Sequence, residues 1–146
     1  MNYIIIEGSA GPHSDFPQEK IAAFLFKHLE KYGDPLEEIM ACLDYVFHPE
    51  KGGFVAIAYD DTNAMHGAVI INNTGMSGYI PENILVYIAV NSDLRGQGLG
   101  QSLMQMAIEN AEGNVALHVE ADNPAKRLYE RLGFTNKYLE MRYTKS

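Results

Sequence analysis

A glycine-rich segment in the second half of the chain has residue types and spacing suited to binding phosphates. An apolar run precedes it and an amphipathic pattern follows it, so it lies between a predicted strand and a predicted helix. Glycine lets a ligand approach the backbone closely, and a helix start offers unpaired N–H groups at the positive end of its dipole. The segment therefore predicts an anion site. Its residues are Arg95, Gly96, Gln97, Gly98, Leu99 and Gly100.

Two common phosphate-binding patterns do not fit this segment. The P-loop requires a lysine directly after its second glycine, and the segment contains no lysine. The dinucleotide-binding pattern Gly-x-Gly-x-x-Gly fails because Gln101 stands where the third glycine belongs. The pattern Arg-x-x-Gly-x-Gly does fit, with Arg95, Gly98 and Gly100. A tight turn without a ligand is the plainer interpretation of the glycines taken alone.

A second motif, at residues 123–134, favours the ligand-binding interpretation of the glycines over the tight turn. It reads Asn-Pro-Ala-Lys-Arg-Leu-Tyr-Glu-Arg-Leu-Gly-Phe and predicts a short helix that ends at Gly133. Together the two motifs resemble those of the GNAT superfamily of N-acetyltransferases. The first resembles the family's pyrophosphate loop, and the second its Asn-x-x-Ala-x-x-Leu-Tyr-x-x-x-Gly-Phe signature, except that Ala125 comes one position earlier. The specific resemblance covers residues 84–134, about a third of the chain.

The resemblance implies a fold, a reaction and a cofactor. The fold is the mixed α/β GNAT fold, with a central sheet of six or seven strands flanked by about four helices. The reaction is acetyl transfer from acetyl-CoA, the co-substrate, to a primary amine by direct attack, with no metal. The alternative is a non-catalytic CoA-binding module of the same fold that regulates a partner or acts as a scaffold.

The resemblance also implies which residues contact CoA. In the strand segment Ile88, Ala89 and Val90, backbone groups of Ile88 and Val90 would pair with the pantetheine arm. The N–H groups from Arg95 to Gly100 would hold the pyrophosphate. Three further side chains would reach the cofactor: Asn123 near the pantetheine, Tyr129 at the thioester sulfur, and Lys126 (or Arg127) at the 3′-phosphate.

The chemistry of acetyl transfer explains why such groups are needed. A lysine-like amine has a pKa of about 10.4, so only about one molecule in 2,500 is neutral at pH 7. The oxyanion formed by attack on the thioester needs a hydrogen-bond donor, for which the N–H of Val90 is the candidate. Tyr129 is the candidate acid that protonates the departing thiolate. Its plainer interpretation is a core aromatic, and Asn123 is first of all a helix cap.

The sequence leaves the general base open. The predicted strand at residues 84–90 contains no carboxylate. His118 and Glu120, which would point the same way on the next strand, and Glu82, which precedes residue 84, are the candidates for acting through a water. Tyr79 or Tyr87 would shape the pocket.

Composition narrows the classes of partner. The chain has 146 residues and a formal net charge of −8, which argues against nucleic acid. Residues 1–73 carry 4 basic and 11 acidic residues, a balance of −7, which favours a cationic small-molecule or peptide amine as acceptor. Cys42 is alone, the histidines have no metal-ligand spacing, and no apolar run would span a membrane. We expect one cytoplasmic domain over residues 1–146, as a monomer or homodimer.

The predicted elements place the glycine-rich segment at one end of a buried strand. β-Branched and apolar patterns predict strands at residues 2–7, 54–59, 66–72, 84–90 and 115–120, with a closing strand around residues 139–143. Helical spacing predicts helices ending near Gly33 and Phe47, one over residues 98–111, and one over residues 124–132. The unit from residue 84 to 120 is predicted to be a parallel crossover.

Overall fold

A single five-stranded sheet forms the centre of the protein, and the computed structural model describes residues 1–146. The strands are adjacent in chain order from β1 to β5. The first four are antiparallel, and β5 runs parallel to β4. Their bounds are β1 Asn2–Glu7, β2 Gly53–Tyr59, β3 Met65–Asn73, β4 Asn83–Val90 and β5 Val115–Leu117.

Four α-helices cover the two faces of this sheet and create two apolar cores. The helices are α1 Gln18–Leu29, α2 Leu36–Phe47, α3 Leu99–Asn110 and α4 Ala125–Arg131. Apolar stripes of α1 and α2 pack on one face and those of α3 and α4 on the other. Both β2 and β3 are buried on both faces because each face is covered by helices.

A β-bulge in β4 determines the shape of the sheet where the site lies. Ile70 of β3 is opposite Tyr87, whereas the next residue, Ile71, is opposite Leu85, so Val86 is the extra residue of β4. Bulges bend a strand and interrupt its pairing. On its other side β4 pairs with β5 only as far as Leu85, although β4 itself continues to Val90. The two strands therefore part, and the second half of β4 has a free edge.

The fold class predicted from the sequence is confirmed, including the parallel pairing of β4 and β5 around α3. The sheet has five strands, however, where six or seven were expected. No strand forms after α4: Leu139, Met141 and Tyr143 are 83%, 89% and 90% exposed. A sequence with an alternating pattern forms a strand only where it can pair with a neighbouring strand and pack its apolar face against a core. None of the helices has the length and apolar character needed to cross a membrane.

Candidate active site

A cavity of about 200 Å³ lies where β4 and β5 part. Residues from five parts of the chain surround it: the end of α1 with the segment after it, the first part of β4, the end of β5, the region around α4, and the segment after α4. Its polar lining consists of Tyr32, Asp34, Tyr87, His118, Asn123, Tyr129 and Arg142. The remaining lining residues are aliphatic, so the cavity combines an apolar wall with a few polar groups, as small-molecule sites do.

The free edge of β4 offers backbone hydrogen-bonding groups to this gap. The Asn91 N–H donates to the His66 carbonyl at 2.8 Å. Because alternate residues of an antiparallel pair face the neighbouring strand, Ala89 points its backbone groups toward β3. The backbone N–H and carbonyl groups of Ile88 and Val90 point away from β3, toward the side of β4 where β5 has already ended. The structure thus has an unpaired strand edge at the residues expected to contact pantetheine.

The glycine-rich segment adds a set of free N–H groups next to this edge. Gly98 precedes the first residue of α3 in a left-handed conformation, with φ of 79°, and Gly96 has φ of 84°. The N–H groups of Gly96, Gln97 and Gly98 have no hydrogen-bond acceptor in the protein. Those of Leu99 and Gly100 open the helix, where N–H groups have no partner within it.

Space around the segment also fits an anion. A Cβ built at Gly96 or Gly98 would meet no atom within 4 Å, so their surroundings are open. Gly100 instead faces the interior, where a Cβ would lie 3.4 Å from Leu128 Cδ2 and 3.6 Å from Val90 Cγ2. The positive φ at Gly96 and Gly98 favours glycine and leaves their surroundings open to a ligand, whereas a Cβ at Gly100 would make ordinary contact with Leu128 and Val90. Open amides at a helix start match the pyrophosphate of CoA.

Arg95 holds the segment in place through its side chain. Its guanidinium Nη2 donates to the backbone oxygen of His28 at 3.1 Å and lies 3.5 Å from Glu30 Oε1. The ring of His28 accepts from the Ser92 N–H at 3.4 Å, and burial lowers the pKa of this imidazole. The arginine side chain thus ties the segment to the end of α1, and the open backbone N–H groups are the segment's candidate anion-binding groups.

A second anchor reaches the segment from the β2–β3 hairpin. Asp60 Oδ2 and His66 Nε2 are 2.7 Å apart, and His66 Nδ1 is 3.2 Å from Asn91 Nδ2. Asn91 Oδ1 then accepts from the Asp93 N–H at 3.0 Å. All these bonds are satisfied when neutral His66 carries its proton on Nε2 and donates it to Asp60. The chain of contacts fixes the turn at Ser92–Leu94 that directly precedes the glycine-rich segment.

Tyr129 lies between the second core and the cavity. Its side chain is only 7% exposed and packs edge-on against Phe134, with ring centroids 6.1 Å apart. Burial raises the pKa of its phenol to about 12, and no protein group hydrogen-bonds to it. The phenol therefore keeps its proton at neutral pH and has that proton free to donate into the cavity. The residue is both a core aromatic and a candidate acid.

The neighbouring candidates around α4 have mainly local contacts. Asn123 Oδ1 accepts from the Ala125 N–H at 2.9 Å, so this residue caps α4, and it also lines the cavity. Lys126 Nζ lies 3.7 Å from Glu130 Oε2 on the outer face of the same helix. The structure thus brings Asn123 together with Tyr129, whereas Lys126 lies outside the cavity lining.

The candidate bases are placed differently from one another. His118 follows β5, is exposed, and lines the cavity together with Tyr129. Glu120 is exposed and outside the lining. Glu82 accepts from the Asn114 N–H at 2.7 Å and the Gly78 N–H at 3.2 Å, and these bonds lower the pKa of its carboxyl. It joins two loops at the far end of β4, and Tyr79 is 84% exposed outside the cavity.

Sequence reasoning missed Asp34, which lies at the cavity between α1 and α2. The Tyr87 hydroxyl donates to Asp34 Oδ2 at 2.5 Å, and both residues line the cavity. Burial, first, and the bond to Asp34 raise the pKa of the Tyr87 phenol. In the sequence Asp34 stands before Pro35 and fits a helix start, so no local signal distinguishes it from a structural residue.

Comparisons with known proteins agree with this geometry. A family model described as "Acetyltransferase (GNAT) domain" matches residues 51–136, more than half of the chain. Solved structures show the same fold. An aminoglycoside N-acetyltransferase AAC(6')-Iy, in complex with CoA, has a TM-score of 0.69 at 15% identity, covering 99% of this chain and 95% of that one. A putative acetyl transferase from Pyrococcus furiosus has a TM-score of 0.63 at 22% identity, covering 99% and 100%.

Curated relatives share sequence with part of this chain. A mycothiol acetyltransferase from Corynebacterium glutamicum (strain R) is 33% identical over 107 residues, which cover 61% of this chain and 37% of that protein. The mycothiol acetyltransferase of Corynebacterium aurimucosum is 45% identical over 119 residues, covering 62% and 39%. The chain thus matches about two fifths of the length of these relatives.

Proposed function

Because the chain belongs to the GNAT family of acetyltransferases, we propose that it transfers the acetyl group of acetyl-CoA to an amine by direct attack. The observation that carries the proposal is the position of the open amides of the glycine-rich segment at the end of the unpaired edge of β4. That arrangement suits a ligand with a pyrophosphate at one end and an amide-containing arm at the other. Tyr129 stands beside the gap that such an arm would enter.

Residues of β4, of the glycine-rich segment with the start of α3, and of the region around α4 would hold the cofactor. Backbone groups of Ile88 and Val90 would pair with the pantetheine amides, and N–H groups from Gly96 to Gly100 would bind the pyrophosphate. Asn123, at the cavity wall, would contact the pantetheine arm while capping α4. Lys126 on the outer face of α4 would contact the 3′-phosphate.

The chemistry requires a neutral amine, an electrophile and a proton donor. Bound acetyl-CoA supplies the electrophile, an acetyl thioester. The Val90 N–H, pointing into the gap, is a donor for negative charge that develops on the acetyl oxygen. Tyr129 supplies a proton to the leaving sulfur, for which its protonated phenol is suited. His118 is the side chain we assign to proton removal from the amine through a water, with Glu120 as the more distant candidate.

Calorimetric titration with acetyl-CoA tests the binding part of this proposal. We expect micromolar binding to the wild-type protein. Gly98→Glu places a carboxylate in the anion site and a residue with a Cβ at a backbone φ of 79°, which is unfavourable for it. We therefore expect the affinity for acetyl-CoA to fall at least about 100-fold. The matched control is Gly75→Glu, because Gly75 has φ of 76° and equally open surroundings in the β3–β4 loop. Loss of binding in both variants, or in neither, would contradict the assignment.

Release of free CoA thiol in the presence of amines then tests catalysis. We expect turnover with at least one amine from a panel of small and peptide amines. Acetyl-CoA binding without turnover on any of them would favour the non-catalytic alternative, a CoA-binding module that acts through a partner.

A further inference from the structure

We propose that Asp34 is the acceptor-binding residue of this site and that it selects acceptors whose amine arrives as a cation. The inference rests on the proposed function, because it assigns the second substrate of the same cavity. It assigns to one residue the preference for a cationic amine that the charge balance of residues 1–73 favours.

The position of the Asp34 carboxylate is the first argument. Its Oδ2 accepts the 2.5 Å hydrogen bond from Tyr87, whose side chain is 8% exposed and fixed in the core beneath α1 and α2. Its Oδ1 accepts no hydrogen bond from the protein. One oxygen is therefore held in place and the other is free at the cavity. Tyr87 precedes Ile88 on β4, so the free oxygen stands near the strand edge assigned to the cofactor.

The distribution of charge around the cavity is the second argument. Asp34 is the one carboxylate in the lining. Glu37 and Glu38 follow it in the first turn of α2 and add negative charge on the same side. The open amides of the glycine-rich segment, which attract anions, lie outside this lining, beyond the Val90 end of β4. The cavity beside Asp34 thus favours a cation, whereas the segment at the start of α3 favours a phosphate.

The basic residue at the cavity, Arg142, senses the charge of Asp34 but does not hydrogen-bond to it: the bond to Glu140, first, and the charge of Asp34 raise the pKa of Arg142. Its guanidinium hydrogen-bonds to Glu140, and its side chain is 74% exposed. Arg142 belongs to residues 135–146, which form no helix or strand. It is not hydrogen-bonded to Asp34, so the second carboxylate oxygen remains available to a ligand.

An alkylammonium fits this free oxygen better than neutral groups do. It has several N–H donors and no acceptor, and a charge-assisted bond to a carboxylate is about twice as strong as a neutral one. An alcohol of the same shape would donate one neutral hydrogen bond. We expect this difference to appear as about tenfold to a hundredfold tighter binding of the ammonium.

A nuclear magnetic resonance titration of the CoA-loaded protein tests the inference with two matched probes, benzylammonium and benzyl alcohol. The wild-type protein is expected to bind benzylammonium at least tenfold more tightly than the alcohol, with shifts in residues around Tyr87. Asp34→Asn, which keeps the size and the acceptor for Tyr87, should abolish that preference. Glu37→Gln, which removes an equal charge one turn away and outside the cavity lining, should retain it.

The outcomes separate this inference from the proposed function. Equal binding of the two probes to the wild-type protein, or an unchanged preference in Asp34→Asn, would overturn the role of Asp34 while leaving acetyl-CoA binding intact. Absence of acetyl-CoA binding to the wild-type protein would overturn the proposed function itself. Unchanged calorimetric affinity of Asp34→Asn for acetyl-CoA serves as the folding control.

Discussion

Tyr129 shows how one side chain can have a structural and a chemical role at once. Its ring packs among α3 and α4 residues, and its phenol borders the cavity. The burial that makes it part of the core also raises the pKa of the phenol to about 12, which keeps the proton in place. Removing the hydroxyl while keeping the ring therefore separates the two roles.

Tyr129→Phe is expected to lower kcat for acetyl transfer by about 100-fold or more, because general acid catalysis contributes about 10²–10⁴-fold. Affinity for acetyl-CoA should change little, since the ring and the backbone contacts remain. Thiol release under steady-state conditions and calorimetric titration measure the two quantities. Tyr143→Phe, at a tyrosine 90% exposed, is the control. An unchanged kcat in Tyr129→Phe would mean that the residue is only a core aromatic.

At the scale of elements, the glycine-rich segment depends on two anchors outside α3. Arg95 ties it to the end of α1, and the contacts from Asp60 through His66 to Asn91 tie it to the β2–β3 hairpin. Glycine residues sample many backbone conformations in the unfolded chain, so a glycine-rich segment is flexible there. The anchors limit that freedom, so the free N–H groups are already oriented before a ligand binds.

His66→Ala tests the second anchor. It removes the acceptor for Asn91 Nδ2 and the partner of Asp60, so the turn before the segment loses its support. We expect acetyl-CoA affinity to fall about 5- to 30-fold, corresponding to about 1–2 kcal/mol for the loss of these partly buried hydrogen bonds. Calorimetric titration measures it.

The control for this substitution is His48→Ala, at an exposed histidine that follows α2. Equal affinities of His66→Ala and the wild-type protein would show that the anchor does not orient the segment.

At the scale of the whole molecule, the sheet separates two cores, and each contains a buried tyrosine. Tyr87 lies in the core under α1 and α2, and Tyr129 in the core under α3 and α4. Burial raises the pKa of both phenols above the ordinary value of 10. The folded state therefore binds both phenolic protons more tightly than the unfolded chain does.

This linkage predicts a loss of stability in alkali. The stabilisation is fully present below pH 10, the unfolded-state pKa, and decreases as the pH rises toward about 12 for Tyr129. Denaturant unfolding at pH 8 to 11 should show a falling free energy of unfolding, with a smaller fall in Tyr129→Phe. Tyr143→Phe should behave as the wild-type protein does. A fall of the same size in Tyr129→Phe would contradict the pKa assignment.

The sequence by itself determined the local features of the site. Gly96 and Gly98 occupy backbone conformations that favour glycine, and the apolar run before them forms the strand that ends there. Such signals are carried by neighbouring residues, since periodicity and backbone freedom act over one or two turns. The same reasoning predicted α4 and its cap at Asn123, which the structure confirms.

Only the tertiary structure decided what faces these elements across the cavity. Asp34 and Tyr87 are 53 positions apart, and Arg95 and His28 are 67 apart, so no local pattern reports either contact. The strand predicted over residues 115–120 ends at Leu117, and its pairing with β4 stops at Leu85, the residue before the bulge at Val86. Long-range pairing and burial depend on the packing of the whole sheet, and therefore the cavity wall formed by Asp34 and Tyr87 emerged only from the fold.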